Sequence, residues 1–423
     1  MKNYNTIKLT FVTLIIATIT TIIGNLDVIF SLLFSIVFVV LNVRLISLIK
    51  IKKFVILTLM ANMIKLLLVF YQSQYKNIPM GGSDWVIYDE VAQKLLLTGD
   101  IKGFILDLDV NLFPKIVAIF YSIFGVDNKI IYYVVFLCAL TTLVVFNKTV
   151  YLWTNNSYTT ALFTFLIGIY PIQIIFSITF LREIPIQMLI ILSFYHLTIF
   201  LKQNHLSNLL YAIMIAMLSS MMHAGTLAIL LVYLLMMFMF NRKTKEIKIH
   251  TTSIILFLVT LLFLSKTPLW ELMTQKFSNF DNISNLADMI NTDRGNTSYA
   301  LEFGNSYLGV LLGSIYKFLM FVLSPLPWQV FNLETVIAFF IDAIPRYIIL
   351  YQIVMYIKRN KEFRESNRTV LIIIVLIWFL VTLIFSIGTN NYGTAMRHRS
   401  KLYPIEFLML ALTHFHKREG RSE

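Results

Sequence analysis

The sequence predicts an all-α, polytopic transmembrane bundle of about 12 spans, within bounds of about 11 to 14, with further juxtamembrane helices on the outer surface. Three observations carry this. The 423 residues are 58% hydrophobic and only 13% charged, and the mean hydropathy is +0.77. Apolar runs of about 18 to 22 residues recur along the chain, each long enough as a helix to cross roughly 30 Å of hydrocarbon. Between those runs the Lys and Arg residues fall in short clusters, the distribution of a positive-inside membrane protein. A backbone in hydrocarbon must satisfy its own hydrogen bonds, so the runs are helices. The formal charge of +13 is accounted for by these clusters, and nucleic acid is not expected as a partner. One cysteine, Cys138, excludes an internal disulfide and a cysteine-built metal cluster.

The spans follow in order over residues 7–24, 28–49, 54–72, 129–147, 157–178, 184–201, 206–222, 224–240, 251–266, 333–356, 368–388 and 401–416. The first run, Ile7 to Ile23, ends without a small-residue cleavage site and is expected to be retained. Gly168 and Pro171 permit a kink within the fifth. Basic clusters at Lys50/Lys52/Lys53, Arg242/Lys243/Lys245/Lys248, Lys358/Arg359/Lys361/Arg364 and Lys417/Arg418/Arg421 are all expected in the cytoplasm. That orientation puts both termini inside a multi-pass protein of the cell membrane. Two further apolar stretches, about 111–125 and 305–324, break the charge parity if counted as spans, and are expected as outer interfacial or re-entrant helices. Pro325-Leu326-Pro327-Trp328 suits a membrane-surface turn after the second. The whole chain, 1–423, reads as one integral membrane domain with a first large outer loop at 73–128 and a second at 267–332.

Within that apolar background the segment from Gly81 to Glu90 is a polar island carrying Asp84, Asp89 and Glu90. Asp84, Tyr88 and Ala92 are spaced at i, i+4 and i+8 and share one face of a short helix. A carboxylate at the start of a helix sits near its positive dipole end, which favours the ionised form a general base needs. N-capping by Ser83 or Asp84 is an equally open role. Tyr88 and Asp89 stand as supporting, substrate-binding positions and Glu90 as a solvated one.

The run Ser83-Asp84-x-x-x-Tyr88-x-x-x-Ala92, followed by Asn111-Leu112-Phe113-Pro114-Lys115 through Phe124-Gly125, resembles the first outer loop of C-type glycosyltransferases, which use polyprenyl-phosphate sugars. The resemblance implies that Asp84 deprotonates the acceptor hydroxyl. The chain departs from that family in carrying Trp85 where an acidic residue is usual and in having two extra spans before the loop. The family's second acidic position falls at Leu181-Arg182-Glu183, implying a catalytic role for Glu183. Arg182 offers a planar donor fork to a phosphate or diphosphate leaving group. A local Arg182–Glu183 ion pair is the plainer alternative.

The segment Phe176 to Glu183, followed by Met222-His223-Ala224-Gly225, also resembles polymerases of O-antigen and exopolysaccharide repeat units. That likeness implies proton transfer or phosphate binding at His223, against the alternative of a satisfied interfacial histidine. Asn390 to Pro404 is basic on the side expected to be poor in basic residues and so asks for an anionic partner. In both families a basic element at this place binds the lipid-linked phosphate, which implies that role for Arg397, Arg399 and Lys401, with His398 among them. Anionic headgroups of membrane lipid are the alternative. Asp342 and Arg346, one helical turn apart within a span, are expected to neutralise each other. Lys65 and Glu334 are further charges in or near the membrane, and Lys65 has the reach to snorkel.

No phosphate-binding loop, dinucleotide fingerprint, metalloprotease helix or nucleophile elbow occurs. The function these resemblances imply is transfer of a sugar or glycan from a polyprenyl-phosphate or polyprenyl-diphosphate donor at the outer face, in bacterial-type cell-surface polysaccharide assembly. Other polysaccharide-assembly proteins are further expected partners; repeat-unit polymerisation is one alternative function, and a lipid-linked oligosaccharide flippase is another. No metal ligand set is assigned; the outer-loop carboxylates leave a divalent cation open as a cofactor without a recognisable ligand spacing.

Overall fold

A computed structural model of the chain describes residues 16, 24, 26–76, 84–98, 112–267, 270, 283–291, 297–299 and 301–419. The expected first span apart from residues 16 and 24, Gly81-Gly82-Ser83 and much of both large loops lie outside the described residues. Among the described residues the architecture is all-α apart from one hairpin of two-residue strands, and the chain divides into two units, 1–191 with 417–423, and 192–416.

Unit 1 opens with α1 (Val28–Leu48), capped by Asp27, whose Oδ1 accepts the Phe30 amide at 2.9 Å. Phe30, Phe34 and Phe38, spaced at one helical turn, form its buried seam. Phe34 meets Tyr133 edge-on at 5.1 Å and Phe38 lies 5.9 Å from Phe136. The opposite face exposes Ile29, Leu33, Ile36 and Val40, the side such a helix turns to lipid. The partner in that seam is α5 (Lys129–Thr154); α2 (Lys52–Tyr75) also packs on α5. Between them α3 (Asp84–Thr98) and α4 (Leu112–Phe124) pack on one another. Asn155, in the left-handed region at φ 47°, ends α5. Asn156 then caps α6 (Ser157–Ile169), giving a tight turn.

The expected span over 157–178 is broken. After α6 the chain bends by 62° into α7 (Pro171–Ser177), because Pro171 has no amide proton and fixes its own φ. Next, α8 (Glu183–Gln203) runs across the division between the units.

Unit 2 continues with α9 (Leu206–Met222), a single 3-10 turn at Ala224–Thr226 and α10 (Leu227–Met239). The basic segment after it forms the hairpin β1 (Phe240–Asn241) and β2 (Glu246–Ile247). Then come α11 (Thr251–Leu264), α12 (Ile283–Asn291) and α13 (Tyr307–Leu323). The span over 333–359 is composite: α14 (Leu333–Ala338), a wide π turn at Phe339–Ala343 and α15 (Ile344–Arg359). Pro345 cannot donate back along the helix, and the wider turn before it absorbs the lost bond. The unit closes with α16 (Lys361–Ser366), α17 (Arg368–Ile387), α18 (Tyr392–Ser400) and α19 (Tyr403–Glu419).

Among the described residues six helices are long and apolar enough to cross a membrane, or seven with the bent pair counted as one span. The chain is thus a membrane-embedded helical protein. Helices of 17, 13 and 14 residues stand where spans were expected over 206–222, 224–240 and 251–266. At about 1.5 Å per residue, they measure roughly 20 to 26 Å, short of the hydrocarbon thickness. The two leftover stretches are both helical, as α4 and α13.

Candidate functional site

The structure gathers the expected site residues into two groups, one in each unit. In unit 1 Asp84 opens α3, in the first turn at the positive end of the helix dipole. Tyr88 and Ala92, one and two turns on, are buried, as the i, i+4, i+8 spacing requires of one packed face. The Tyr88 ring meets Phe113 of α4 edge-to-face at 5.2 Å. Phe113 lies 6.1 Å from Phe180, which lies 5.9 Å from Tyr132 of α5.

That aromatic chain leads to the turn between α7 and α8. Here the Thr179 hydroxyl donates to the Phe176 carbonyl, and the Ile186 amide donates to the Arg182 carbonyl at 3.0 Å, starting α8. Pro185 falls in the first turn of α8, where a missing amide proton costs little. The turn is held from behind by Gln187, whose amide donates to Gln173 at 2.9 Å, joining α7 to α8. Arg182 is 9% exposed and Glu183 is buried. The Arg182 guanidinium lies 5.7 Å from the Tyr88 ring, within cation–π range. Two motifs more than ninety residues apart in sequence, Asp84-x-x-x-Tyr88 and Leu181-Arg182-Glu183, therefore meet through the Tyr88 ring.

Asp89 projects to another neighbour. It accepts the Tyr121 hydroxyl at 2.5 Å and, more distantly, the Asn128 amide at 3.5 Å. Burial, then the hydrogen bond and charge of Asp89, push the Tyr121 phenol upward, so it stays a donor at neutral pH. Asp89 thereby ties α3 to α4. Lys115, buried on α4, is a charged residue of this unit to which the sequence assigns no role. Its signal was a lone cation in an apolar run.

In unit 2, His223 ends α9 and turns the chain into α10. Its Nδ1 accepts the Gly225 amide at 3.2 Å, which places the proton of a neutral ring on Nε2. The ring stands edge-on to Phe385 and to His398, both at 4.9 Å. His398 stacks on Phe385 at 4.7 Å with only 12° between the rings. Its Nδ1 lies 2.9 Å from the Lys401 ammonium, which itself sits 5.1 Å from the Phe385 ring. Gly225 makes this approach possible, because a Cβ there would overlap the Phe385 ring. His223, His398 and Lys401 thus assemble around one phenyl ring. Arg397 is half-buried in the last turn of α18, and its carbonyl accepts the Ser400 hydroxyl at 2.7 Å.

Arg399 points elsewhere. It is wholly buried, its Nη2 is 2.5 Å from Asp342 Oδ2, and its Nη1 donates to the carbonyls of Phe321 at 3.0 Å and Ser324 at 2.6 Å. These carbonyls lie at the C-terminal end of α13, the negative end of a helix dipole. Tyr403 donates its hydroxyl to the other Asp342 oxygen. Arg346 pairs instead with Glu406 at 3.1 Å, and Glu406 also accepts the Trp378 indole at 2.7 Å. The expected Asp342–Arg346 pair is therefore replaced by two pairs to the C-terminal segment. The π turn over 339–343 is the physical reason, since an i, i+4 alignment presupposes regular α-helical winding. Lys317, likewise unassigned from sequence, is wholly buried; it donates to Asn390 and sits 5.8 Å from the Tyr299 ring. It anchors the start of the 390–401 element.

Among the described residues no group of three or more His, Cys, Asp or Glu side chains is placed to hold a metal ion. Comparison of the chain with protein families, with curated proteins and with solved structures finds no match.

Proposed function

We propose that the protein is a membrane glycosyltransferase of cell-surface polysaccharide assembly, acting at the outer face of the cell membrane on a polyprenyl-phosphate or polyprenyl-diphosphate donor. The observation that carries this reading is the meeting of Asp84-x-x-x-Tyr88 with Arg182 in unit 1: the Arg182 guanidinium lies 5.7 Å from the Tyr88 ring, one helical turn along α3 from the base candidate Asp84. Asp84 takes the proton of the acceptor hydroxyl as its oxygen attacks the anomeric carbon. The bond from that carbon to the phosphate oxygen breaks, and the polyprenyl phosphate leaves with the negative charge. Arg182 neutralises that charge as it develops, and a preorganised cation at that point lowers the barrier. Glu183, beside it at the start of α8, holds the acidic position that the resemblance assigns to catalysis.

The group around Phe385 in unit 2 supplies a second cationic cluster, half-buried at His223, Arg397 and His398 and wholly buried at Lys401. His223 with a proton on Nε2, His398, Lys401 and Arg397 suit a phosphate or diphosphate. Arg399, with its guanidinium engaged by Asp342 and two carbonyls, orders α18 so that Arg397 and His398 are presented. Both termini are cytoplasmic in this reading.

The bend of 62° at Pro171 favours a second reading, a lipid-linked oligosaccharide flippase, because broken helices recur in transporters. A repeat-unit polymerase is distinguished by product: ladders of repeats instead of one added unit. The test is transfer from a labelled polyprenyl-linked donor by membranes carrying the protein. Asp84→Asn is expected to lower transfer by about 100-fold or more, and full retention of activity rules out Asp84 as the base.

A further inference from the structure

We infer that unit 1 holds an intramembrane binding site for a phosphate group, anchored on Lys65 of α2 and separate from the Asp84–Tyr88–Arg182 arrangement. Lys65 lies roughly 20 Å along the 24-residue helix from Lys52, taking about 1.5 Å per residue, and so near its middle. Its side chain is 2% exposed. Among the described residues no charged partner acts on its ammonium. A buried cation within a span is costly, and where one persists it usually serves a ligand, ion or relay.

The surroundings are polar on the same face. Thr58, Asn62 and Lys65 follow at helical spacing along the buried side of α2, and Thr58 and Asn62 are themselves more than nine-tenths buried. Asn62 donates to Asn42 Oδ1 at 3.0 Å, and Asn42 donates to the Phe38 carbonyl at 2.8 Å. Those bonds leave the Asn62 carbonyl oxygen and the Thr58 hydroxyl buried without a partner among the described residues. Polar contacts between membrane helices explain the Asn42–Asn62 bond. They do not explain the ammonium beside it. Lys65 and Thr58 supply donors to phosphate oxygens, and the Asn62 oxygen accepts from a phosphate hydroxyl or a sugar hydroxyl.

The neighbours of α2 point the same way. It packs on both limbs of the broken span, α6 and α7, and a discontinuous helix is where membrane proteins build polar sites at depth. The phosphate chemistry rests on Lys65 and its two neighbours. The choice of a polyprenyl lipid as its carrier rests on the proposed function.

Native mass spectrometry of the full chain in detergent, titrated with polyprenyl monophosphate and with the corresponding polyprenol, tests the site. The expected result is tighter binding of the phosphate lipid, weakened roughly 10- to 100-fold in Lys65→Gln, with Lys65→Arg keeping most of it. Displacement by inorganic phosphate marks free phosphate as the natural occupant, and resistance to it marks a lipid headgroup. Equal binding by Lys65→Gln and the parent protein, or no preference for the phosphate lipid over the polyprenol, overturns the inference. Should Lys65→Gln fail to fold, Thr58→Val serves in its place, with a several-fold loss expected and none contradicting. This titration reads binding alone, so failure of the separate transfer assay refutes the proposed function and leaves this site standing.

Discussion

Removing the negative charge of Asp342 strands the guanidinium of Arg399 in a place where no water reaches either group. In Asp342→Asn the shape is kept, and the Phe321 and Ser324 carbonyls still accept from Nη1. What is lost is the countercharge at 2.5 Å. Breaking a buried pair by removing one partner costs about 3 to 5 kcal/mol, whereas replacing both partners by apolar groups is often close to neutral. For a cooperative unit of some 200 residues each kcal/mol moves Tm by about 2 to 4 °C. The single variant should therefore melt roughly 6 to 20 °C lower. The double variant Asp342→Leu/Arg399→Met should recover most of that loss. Thermal unfolding in detergent, followed by intrinsic fluorescence at one scan rate, makes the comparison. An Asp342→Asn protein that melts with the parent refutes the reasoning, because Arg399 then does not depend on Asp342 and is freed for a ligand role.

Four further outcomes follow from the same geometry. Gly225→Ala forces Phe385 aside, and overpacking of this kind costs about 1 to 3 kcal/mol; a lowered Tm restored by Phe385→Leu in the same chain is the expected pattern. Tyr121→Phe removes the hydroxyl held at 2.5 Å by Asp89, and amide exchange in α3 should rise by roughly an order of magnitude while other helices stay protected. Because burial and Asp89 raise the Tyr121 phenol in the folded chain, the unfolded chain loses that proton first. Stability contributed by Tyr121 is thus present below about pH 10 and falls as the pH rises beyond it, a fall that pH-dependent melting should show blunted in Tyr121→Phe. Replacing Gln187 by Leu breaks the clasp at 2.9 Å to Gln173, so transfer activity should fall with Arg182 in place but less firmly held, while Gln187→Asn retains part of it.

Much of this was legible in the sequence, and the failures have physical causes. Helical periodicity placed Asp84, Tyr88 and Ala92 on one face, and α3 buries Tyr88 and Ala92. Pro171 marked a bend in its span, and the chain turns there by 62°. Over 206–222, 224–240 and 251–266 the apolar helices were legible but not their lengths, which come to 17, 13 and 14 residues. The pairing of Asp342 with Arg346 went astray because sequence spacing carries no sign of a π turn. It also gave no sign of Glu406, sixty residues away and waiting for Arg346. Arg399 looked like Arg397 on paper. Only packing showed that two residues along α18 reverse the direction of the side chain, from a half-buried position into the core. Lys317 and Lys115 escaped notice because a single cation in an apolar run looks like a snorkelling lysine until its burial is seen.

The most direct measurement of the central claim uses the purified full chain in liposomes with a labelled polyprenyl-linked glycan and an acceptor. The account predicts label on the acceptor together with released polyprenyl phosphate, and near-complete loss of both in Asp84→Asn and in Arg182→Ala. Movement of the intact lipid-linked glycan across the bilayer, with no new glycosidic bond formed, contradicts it.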